Sequence, residues 1–331
     1  MPQIDLDDLD LAADIMHDAT NLAVAARREL PPDAVVFKSD GSIVTAVDVA
    51  LQIFILTELE RIYGAVITIA EEDERSIHGH SAAQSHCRAL LKEWGFDGGE
   101  AMITRTLTSG GFSGSTRHLS DVWVLDPIDG TQGFVDGDHW CPCLALLREG
   151  EPVFGCNGHP TVLGGQLLSA VKGHGAWWYP LDAGDDGEPL AVSVRQDPLE
   201  AGEVMRLVAP ARPTPAQRSA RMSIGESTGH PCTLVFADSQ AKYARVLAGD
   251  ADVAFSRRGN GPGKYVWDHA GAILIAREAG AWVGDTDLSA VDCSRGRRLD
   301  GSNAVICAAR GLGPLIAATL SARDLAERPR G

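Results

Sequence analysis

The chain has 331 residues, 44% of them hydrophobic and 22% charged, with a formal net charge of −16. That length can bury a large core and suits one large or two modest domains. The acidic balance excludes a general nucleic-acid-binding surface, which needs clustered Lys and Arg, but it does not exclude a phosphorylated small molecule held through divalent cations.

Between Asp5 and Leu30, Leu9, Ala12, Ala13, Met16 and Leu22 recur with a helical period. Acidic residues open this stretch and Arg27-Arg28 close it, as the helix dipole prefers, and Pro31-Pro32 stop it. This N-terminus lacks the basic-then-apolar order of a secretory signal, and no apolar run is long enough to span a bilayer. Lys38 to Ser42 reads as a turn and Ile43 to Ala46 as a short extended piece. A second helix is expected from Asp48 to Ile62, then a strand from Val66 to Ala70 that ends in Glu71-Glu72-Asp73. Ser81 to Trp94 reads as helical and Ser109 to Ser115 as a loop. A strand follows over Val122 to Leu125.

Further strands are expected at Cys143 to Leu147, Val153 to Cys156, Leu167 to Val171 and Ala176 to Tyr179. Pro180 to Pro189 reads as an acidic loop. Ala191 to Val194 and Val204 to Val208 read as extended, and Pro210 to Pro215 as a loop or helix start. The last third alternates: helix from Ser239 to Leu247, strand at Val253 to Phe255, helix from Trp267 to Ala279 closed by Gly280, and strands at Ala281 to Val283 and Ala304 to Cys307. A sheet-rich first half and an alternating second half give an α/β protein with an α+β N-terminal part. The expected division is into subdomains 1–170 and 171–331. Seven cysteines form no C-x-x-C pair, so a reducing, cytoplasmic setting is expected. Cys141 and Cys143, flanking Pro142, read as core thiols rather than metal ligands.

The segment Asp126-Pro127-Ile128-Asp129-Gly130-Thr131 carries the most chemistry. Pro127 pushes Asp126 toward an extended backbone and Gly130 permits positive φ, so the chain can turn sharply. Two carboxylates and the Ile128 carbonyl then converge as hard oxygen ligands suited to Mg²⁺. Burying two acids beside an apolar strand is costly without a cation. Asp48, Glu71 and Asp268 also sit at the edges of expected elements. Taken alone, Asp48 and Asp268 read as helix N-caps and Glu71-Glu72-Asp73 as a solvated loop. Taken together with the turn, they can meet at one rim. Two metals there would acidify a water and clamp phosphate oxygens, with Thr131 and Asp48 orienting and deprotonating that water. Backbone N–H groups of Gly130 and Thr131, if they open a helix, face the phosphate. No serine or cysteine stands in a nucleophile-elbow context, so direct attack by water is the simpler reading.

These motifs resemble those of the lithium-sensitive, Mg²⁺-dependent inositol monophosphatase superfamily. The match comprises Thr45-Ala46-Val47-Asp48, Ile69-Ala70-Glu71-Glu72-Asp73 with Ala70 replacing the usual glycine, the D-P-I-D-G-T turn, and Trp267-Asp268-His269-Ala270 with Glu278-Ala279-Gly280. They run in family order from about residue 38 to 307. The resemblance implies a layered α-β-α-β-α sandwich and two or three Mg²⁺ ions. It implies metal ligation by Glu71, Asp126, Asp129, Asp268 and the Ile128 carbonyl, and water activation by Asp48 and Thr131.

Gly133-Phe134, Lys38 to Ser42, Asp238-Ser239-Gln240-Ala241-Lys242-Tyr243 and Gly249 to Asp252 resemble the 3′(2′),5′-bisphosphate nucleotidase branch. That likeness implies substrate contacts from Gly130, Thr131, Ser239, Lys242 and Arg257, with Arg258 as the alternative to Arg257. Two departures bear on the substrate. Gln132 stands where the branch usually has lysine, and Val208 to Pro213 lacks its Ser/His-rich motif. The implied activity is removal of the 3′-phosphate of 3′-phosphoadenosine 5′-phosphate or its sulfated form, with inhibition by Li⁺. The partner is thus a phosphorylated small molecule, an adenine nucleotide foremost, with neither nucleic acid nor membrane. The alternatives are a phosphatase for another nucleoside, sugar or inositol phosphate, and a non-catalytic nucleotide-binding module. Oligomeric state stays open.

Overall fold

The structure is a computed structural model. It describes residues 3–38, 41–96, 99–162, 164–182, 190–257 and 264–327, the last five of these by backbone only. Helix α1 (Asp10–Arg28) leads into a small antiparallel hairpin of β1 (Val35–Phe37) and β2 (Ile43–Thr45), followed by α2 (Ala46–Tyr63). A seven-stranded sheet comes next. Its strands, in spatial as well as chain order, are β3 (Thr68–Ala70), β4 (Val122–Asp129), β5 (Cys141–Arg148), β6 (Glu151–His159), β7 (Gln166–Val171), β8 (Ala176–Pro180) and β9 (Leu190–Val192). Within this sheet β3 and β4 pair in parallel and the other described neighbours antiparallel, and the β3–β4 crossover carries α3 (Ser81–Glu93) and α4 (Glu100–Ser109). The short α5 (Thr131–Asp136) joins β4 to β5.

The second half builds a five-stranded sheet. In chain order it runs β10 (Met205–Ala209), α6 (Pro215–Thr228), β11 (Cys232–Phe236), α7 (Ala241–Leu247), β12 (Val253–Arg257), α8 (Ala270–Glu278), β13 (Trp282–Gly284), β14 (Ala304–Ala308) and α9 (Gly313–Glu327). In space the strands lie β11-β10-β12-β14-β13.

Strand alternation sorts the side chains into layers. In β4, Trp123 and Leu125 join α1 and α2 in one apolar cluster, whereas Val122 and Val124 face the opposite way. That opposite face meets α7 and α8 and, beyond them, Val305 and Cys307 of β14. The outer face of the second sheet, with Leu207 and Ile306, is covered by Ile224 of α6 and Ile316 of α9. Five layers result, α-β-α-β-α, as expected. Helix α8 is apolar on all sides because it lies between two sheets, and its residues Ala270 to Ala276 are all buried. Each large apolar side chain so buried contributes about 1.5–3 kcal/mol before chain entropy is charged against it.

Several expectations shift. The change of sheet falls between Val192 and Met205, while the expected 170/171 boundary lies at the end of β7, inside the first sheet. Asp48 is not an N-cap. Thr45 is, and Asp48 is the third helical residue, completing a capping box. Asp268 is not an N-cap either, because α8 begins two residues later, after a turn. Helices α4 and α9 and strand β11 were not expected. Arg258, Ser39, Asp40 and most of the Pro180 to Pro189 loop lie outside the described residues. Among the described residues no helix is long and apolar enough to cross a membrane.

Candidate active site

Strand β4 is apolar up to Leu125 and then changes character. Pairing with β5 is regular to Asp126 opposite Cys143, breaks, and resumes with Asp129 opposite Cys141. The irregularity thus falls between the two aspartates, at the C-terminal end of the strand. The Ile128 N–H donates to Asp126 Oδ1 at 3.0 Å, closing the turn around Pro127. Gly130 follows at φ 89°, and a Cβ there would stand 2.9 Å from the His139 carbonyl. Thr131 then opens α5, and its Oγ1 lies 3.1 Å from Asp48 Oδ1 and 3.2 Å from the Ile128 carbonyl.

Three segments bring further acids to this turn. Glu71 follows β3 directly, and its charge bears on Asp126. Asp268 arrives from the second sheet's side, in the turn before α8. Carboxylate oxygens of Asp126, Asp129 and Asp268 lie within 4.8 Å of one another. Asp48 comes from α2. Its Oδ2 accepts from the Thr45 N–H at 2.9 Å and from Thr45 Oγ1 at 2.5 Å, which leaves Oδ1 for Thr131.

Burial raises the pKa of every one of these acids, and neighbouring charges add to it for Glu71, Asp126, Asp129 and Asp48. For Glu71 and Asp126 burial acts first and neighbouring carboxylates second. Burial also raises Asp129, against the pull of the Lys242 ammonium. Asp268 is raised to about 6 by burial, again opposed by Lys242, and Asp48 to about 7 by burial and the nearby Glu72. One carboxylate oxygen, Asp129 Oδ2, is buried with no hydrogen-bond partner. A clustered, partly orphaned set of hard oxygens fits a divalent cation such as Mg²⁺.

Glu71 and Glu72 part company despite being adjacent. Glu72 is buried, and both its oxygens accept from Lys38 Nζ at 3.0 Å. Gln52 pins its backbone, accepting from the Glu72 N–H at 3.0 Å and donating to its carbonyl at 2.8 Å. This pair of contacts fixes the path of the chain through Glu71. Gln240 has the equivalent task for Asp268: its Nε2 donates to the Trp267 carbonyl at 2.9 Å, and its Oε1 accepts from Asn157 at 2.9 Å. Arg297 stacks over Trp267 at 4.5 Å and donates to the Glu71 carbonyl at 3.3 Å, tying the two acid-bearing segments together. Gln52, Gln240 and Arg297 were missed from the sequence, because each acts through contacts between distant segments.

Ser239 has φ 55°, and its Cβ is the close neighbour that a Cβ on Gly130 would meet at 3.0 Å. The Lys242 ammonium donates to the Ser239 carbonyl at 2.8 Å, and its charge reaches Asp129 and Asp268. Both therefore border the acidic cluster. Arg257 ends β12 opposite Ala304, next to the undescribed 258–263. Gln132 is exposed and hydrogen-bonds to Asp136. The loop after β10 reaches the same place: Arg212 pairs with Asp136 at 2.8 Å and with Asp138 at 3.1 Å. Gly133 has a steric role, since a Cβ there would stand 2.2 Å from the His139 carbonyl. A cleft of about 400 Å³, lined by Phe37, Lys38, Glu71, Asp73, Arg75 and His80 among others, opens beside Glu71.

Residues 11–325 match the Inositol monophosphatase family. The chain belongs to that family. It is an enzyme of the phosphatase type, similar at 31% identity to the probable 3′(2′),5′-bisphosphate nucleotidase 4 of Arabidopsis thaliana, over 89% of each chain. The 3′(2′),5′-bisphosphate nucleotidase of Dictyostelium discoideum is 28% identical over 85% of this chain and 86% of its own. Among solved structures, an IMPase of Thermotoga maritima superposes with a TM-score of 0.64 at 20% identity, covering 97% of this chain and 99% of that one. The shared fold is thus independent of close sequence similarity.

Proposed function

We propose that this family member is a Mg²⁺-dependent phosphomonoesterase that removes the 3′-phosphate of 3′-phosphoadenosine 5′-phosphate or its sulfated form. The observation that carries the reading is the acidic cluster around the orphaned Asp129 Oδ2, with the Thr131–Asp48 pair beside it. Glu71, Asp126, Asp129, Asp268 and the Ile128 carbonyl would hold two or three Mg²⁺ ions. Bound there, Mg²⁺ supplies acidification of water and neutralisation of phosphate charge.

The protein's own groups do the rest. Thr131 Oγ1 donates a hydrogen bond to Asp48 Oδ1, which leaves its lone pairs to accept from and orient the attacking water. Asp48, raised to about 7, takes the proton that this water releases. Lys242 and Ser239 border the leaving side and contact the nucleotide, with Arg257 or Arg258 on its second phosphate. Phe37, largely exposed at the cleft, offers a ring on which a base can stack. The substrate assignment is supported by the names of the relatives and by the Ser239–Lys242 segment.

The test is phosphate release from 3′-phosphoadenosine 5′-phosphate, its sulfated form and inositol 1-phosphate, with and without Mg²⁺. A clear preference for the inositol ester would overturn the nucleotide assignment, and Mg²⁺-independent turnover would overturn the metal assignment. The altered loop around Arg212 favours one second reading, a different phosphorylated nucleoside or sugar. That reading gains if the bisphosphate nucleotide binds yet turns over poorly. Li⁺ is expected to inhibit at millimolar concentration by occupying one position in the cluster, and undiminished turnover would contradict that.

A further inference from the structure

Cys141 and Cys143 are two residues apart on β5, so both side chains leave the same face of the strand. The register sets Cys141 opposite Asp129 and Cys143 opposite Asp126. Both thiols are buried, with their sulfurs 3.5 Å apart. One ligand atom from each of Asp129, Cys141 and Cys143 lies within 4.8 Å of the other two. Asp129 therefore belongs to two groups at once, the oxygen cluster described above and this sulfur-rich one.

We propose that Asp129, Cys141 and Cys143 form a second metal site, selective for a thiophilic divalent cation such as Zn²⁺ or Cd²⁺, and that filling it withdraws Asp129 from the oxygen cluster. Two sulfurs on one tetrahedral Zn²⁺, each at about 2.3 Å, stand about 3.8 Å apart, close to the observed separation. Thiolates prefer zinc-group ions, whereas Mg²⁺ prefers oxygen alone, so the two groups discriminate by chemistry rather than by size. Each thiol releases its proton to solvent as its sulfur–metal bond forms. Asp129 Oδ2, buried without a partner, is the oxygen this site would use. His159 is buried close enough to bear on Cys141, and its Nδ1 is unpartnered. A disulfide is the poorer use of the pair. The sulfurs are well beyond the bonded distance of about 2.05 Å and sit on one extended strand.

The inhibitory part of this inference rests on the proposed phosphatase reading; the binding part does not. Reduced, metal-free protein is titrated with Cd²⁺ while its ultraviolet thiolate-to-metal charge-transfer band is followed. The expected result is a band that saturates at one equivalent, needs more Cd²⁺ when excess Mg²⁺ is present, and is lost in Cys141→Ser and in Cys143→Ser. In turnover assays with excess Mg²⁺, Zn²⁺ should inhibit the parent enzyme. Inhibition should weaken in either serine variant by more than the about 10- to 100-fold in affinity that loss of an outer-shell partner costs. No band in the folded parent protein overturns the site, whatever the variants do. A band indifferent to Mg²⁺ overturns the sharing of Asp129. Unchanged band and unchanged Zn²⁺ sensitivity in both variants overturn the assignment of the thiols.

Discussion

Two regions of the molecule bury carboxylates, and they treat them oppositely. In the second sheet, Asp285 accepts from the N–H groups of Thr286, Asn303 and Ala304 at 2.6–2.7 Å. Asp252, just before β12, takes the Arg206 guanidinium through both oxygens, at 2.8–3.1 Å, and the Arg206 N–H at 2.8 Å. These acids are complete within the protein. At the edge of the first sheet, Glu71, Asp126, Asp129 and Asp268 face mainly one another, and Asp129 Oδ2 has no partner at all. A buried acid supplied with donors belongs to the fold. A buried acid deprived of them marks a place where a cation is to be received.

The contrast predicts opposite effects from one chemical change. Asp126→Asn should lower Mg²⁺-dependent kcat/KM by about 10⁴-fold, since a ligand to the cation contributes several kcal/mol. In metal-free buffer the same variant should be at least as stable as the parent, because one member of a repelling set is gone. Asp285→Asn should do the reverse. It presents an amide NH₂ to backbone donors, costing about 1–3 kcal/mol of stability, while kcat is kept. Thermal denaturation and steady-state kinetics on both variants decide the matter; equal destabilisation by the two would dissolve the distinction.

Asp48 stands between the two types. Its Oδ2 is satisfied inside the capping box, and its Oδ1 is turned to Thr131 at the site. Asp48→Asn should therefore lose both kinds of property: about 10²–10³-fold in kcat, within the range for a general base, and some stability. Thr131→Val should lose the rate alone. Thr45→Ala should cost about 1 kcal/mol as a lost N-cap, with a smaller rate effect through Asp48. If Asp48→Asn kept full turnover, the base would have to be sought elsewhere.

How far such roles were legible in the sequence depends on how local they are. Asp126, Asp129 and Thr131 lie within six residues whose turn chemistry can be read directly, and the layered architecture followed from the motif resemblance. Asp48, at the start of the expected helix, reads when taken alone as its N-cap; that it is the third helical residue and faces Thr131, 83 positions away, needs the fold. Helix α4 packs Met102, Ile103 and Leu107 against the core, a stripe that its ten residues make too short to stand out from the surrounding chain. Gln52, Gln240 and the pairing of Asp129 with Cys141 are register facts, and register between segments leaves no trace in either segment alone.

Removing metal altogether tests the orphaned cluster as a whole. Asp268 and Asp48, at about 6 and about 7 in the fold, lie above the ordinary 3.8. A raised carboxyl pKa means that the fold prefers the protonated form. Its contribution to stability is complete below the unfolded value and is lost as pH rises through the folded one. Metal-free protein should thus lose thermal stability between about pH 4 and pH 7, by several degrees, and excess Mg²⁺ should flatten that slope. A stability profile that rises toward neutrality without metal would show that the cluster is not under the strain described.

The smallest expected effect concerns the bridge between the halves. Arg212 holds Asp136 and Asp138 across the site's rim, in the loop where the nucleotidase-like Ser/His-rich segment is missing. The guanidinium is largely exposed, so the ion pairs themselves are worth at most about 1 kcal/mol. Arg212→Ala should leave thermal stability and kcat nearly unchanged. Any effect belongs in KM, as a rise of up to about fivefold for the true substrate, because freeing the 136–138 turn loosens the loop that packs against Gly130 and Gly133. If the rise is confined to one ester of the substrate panel, Arg212 reads that ester directly, and the loop has exchanged a histidine-based contact for a cationic one. If it is equal for all of them, Arg212 is part of the frame, and specificity lies with Ser239, Lys242 and the Phe37 cleft.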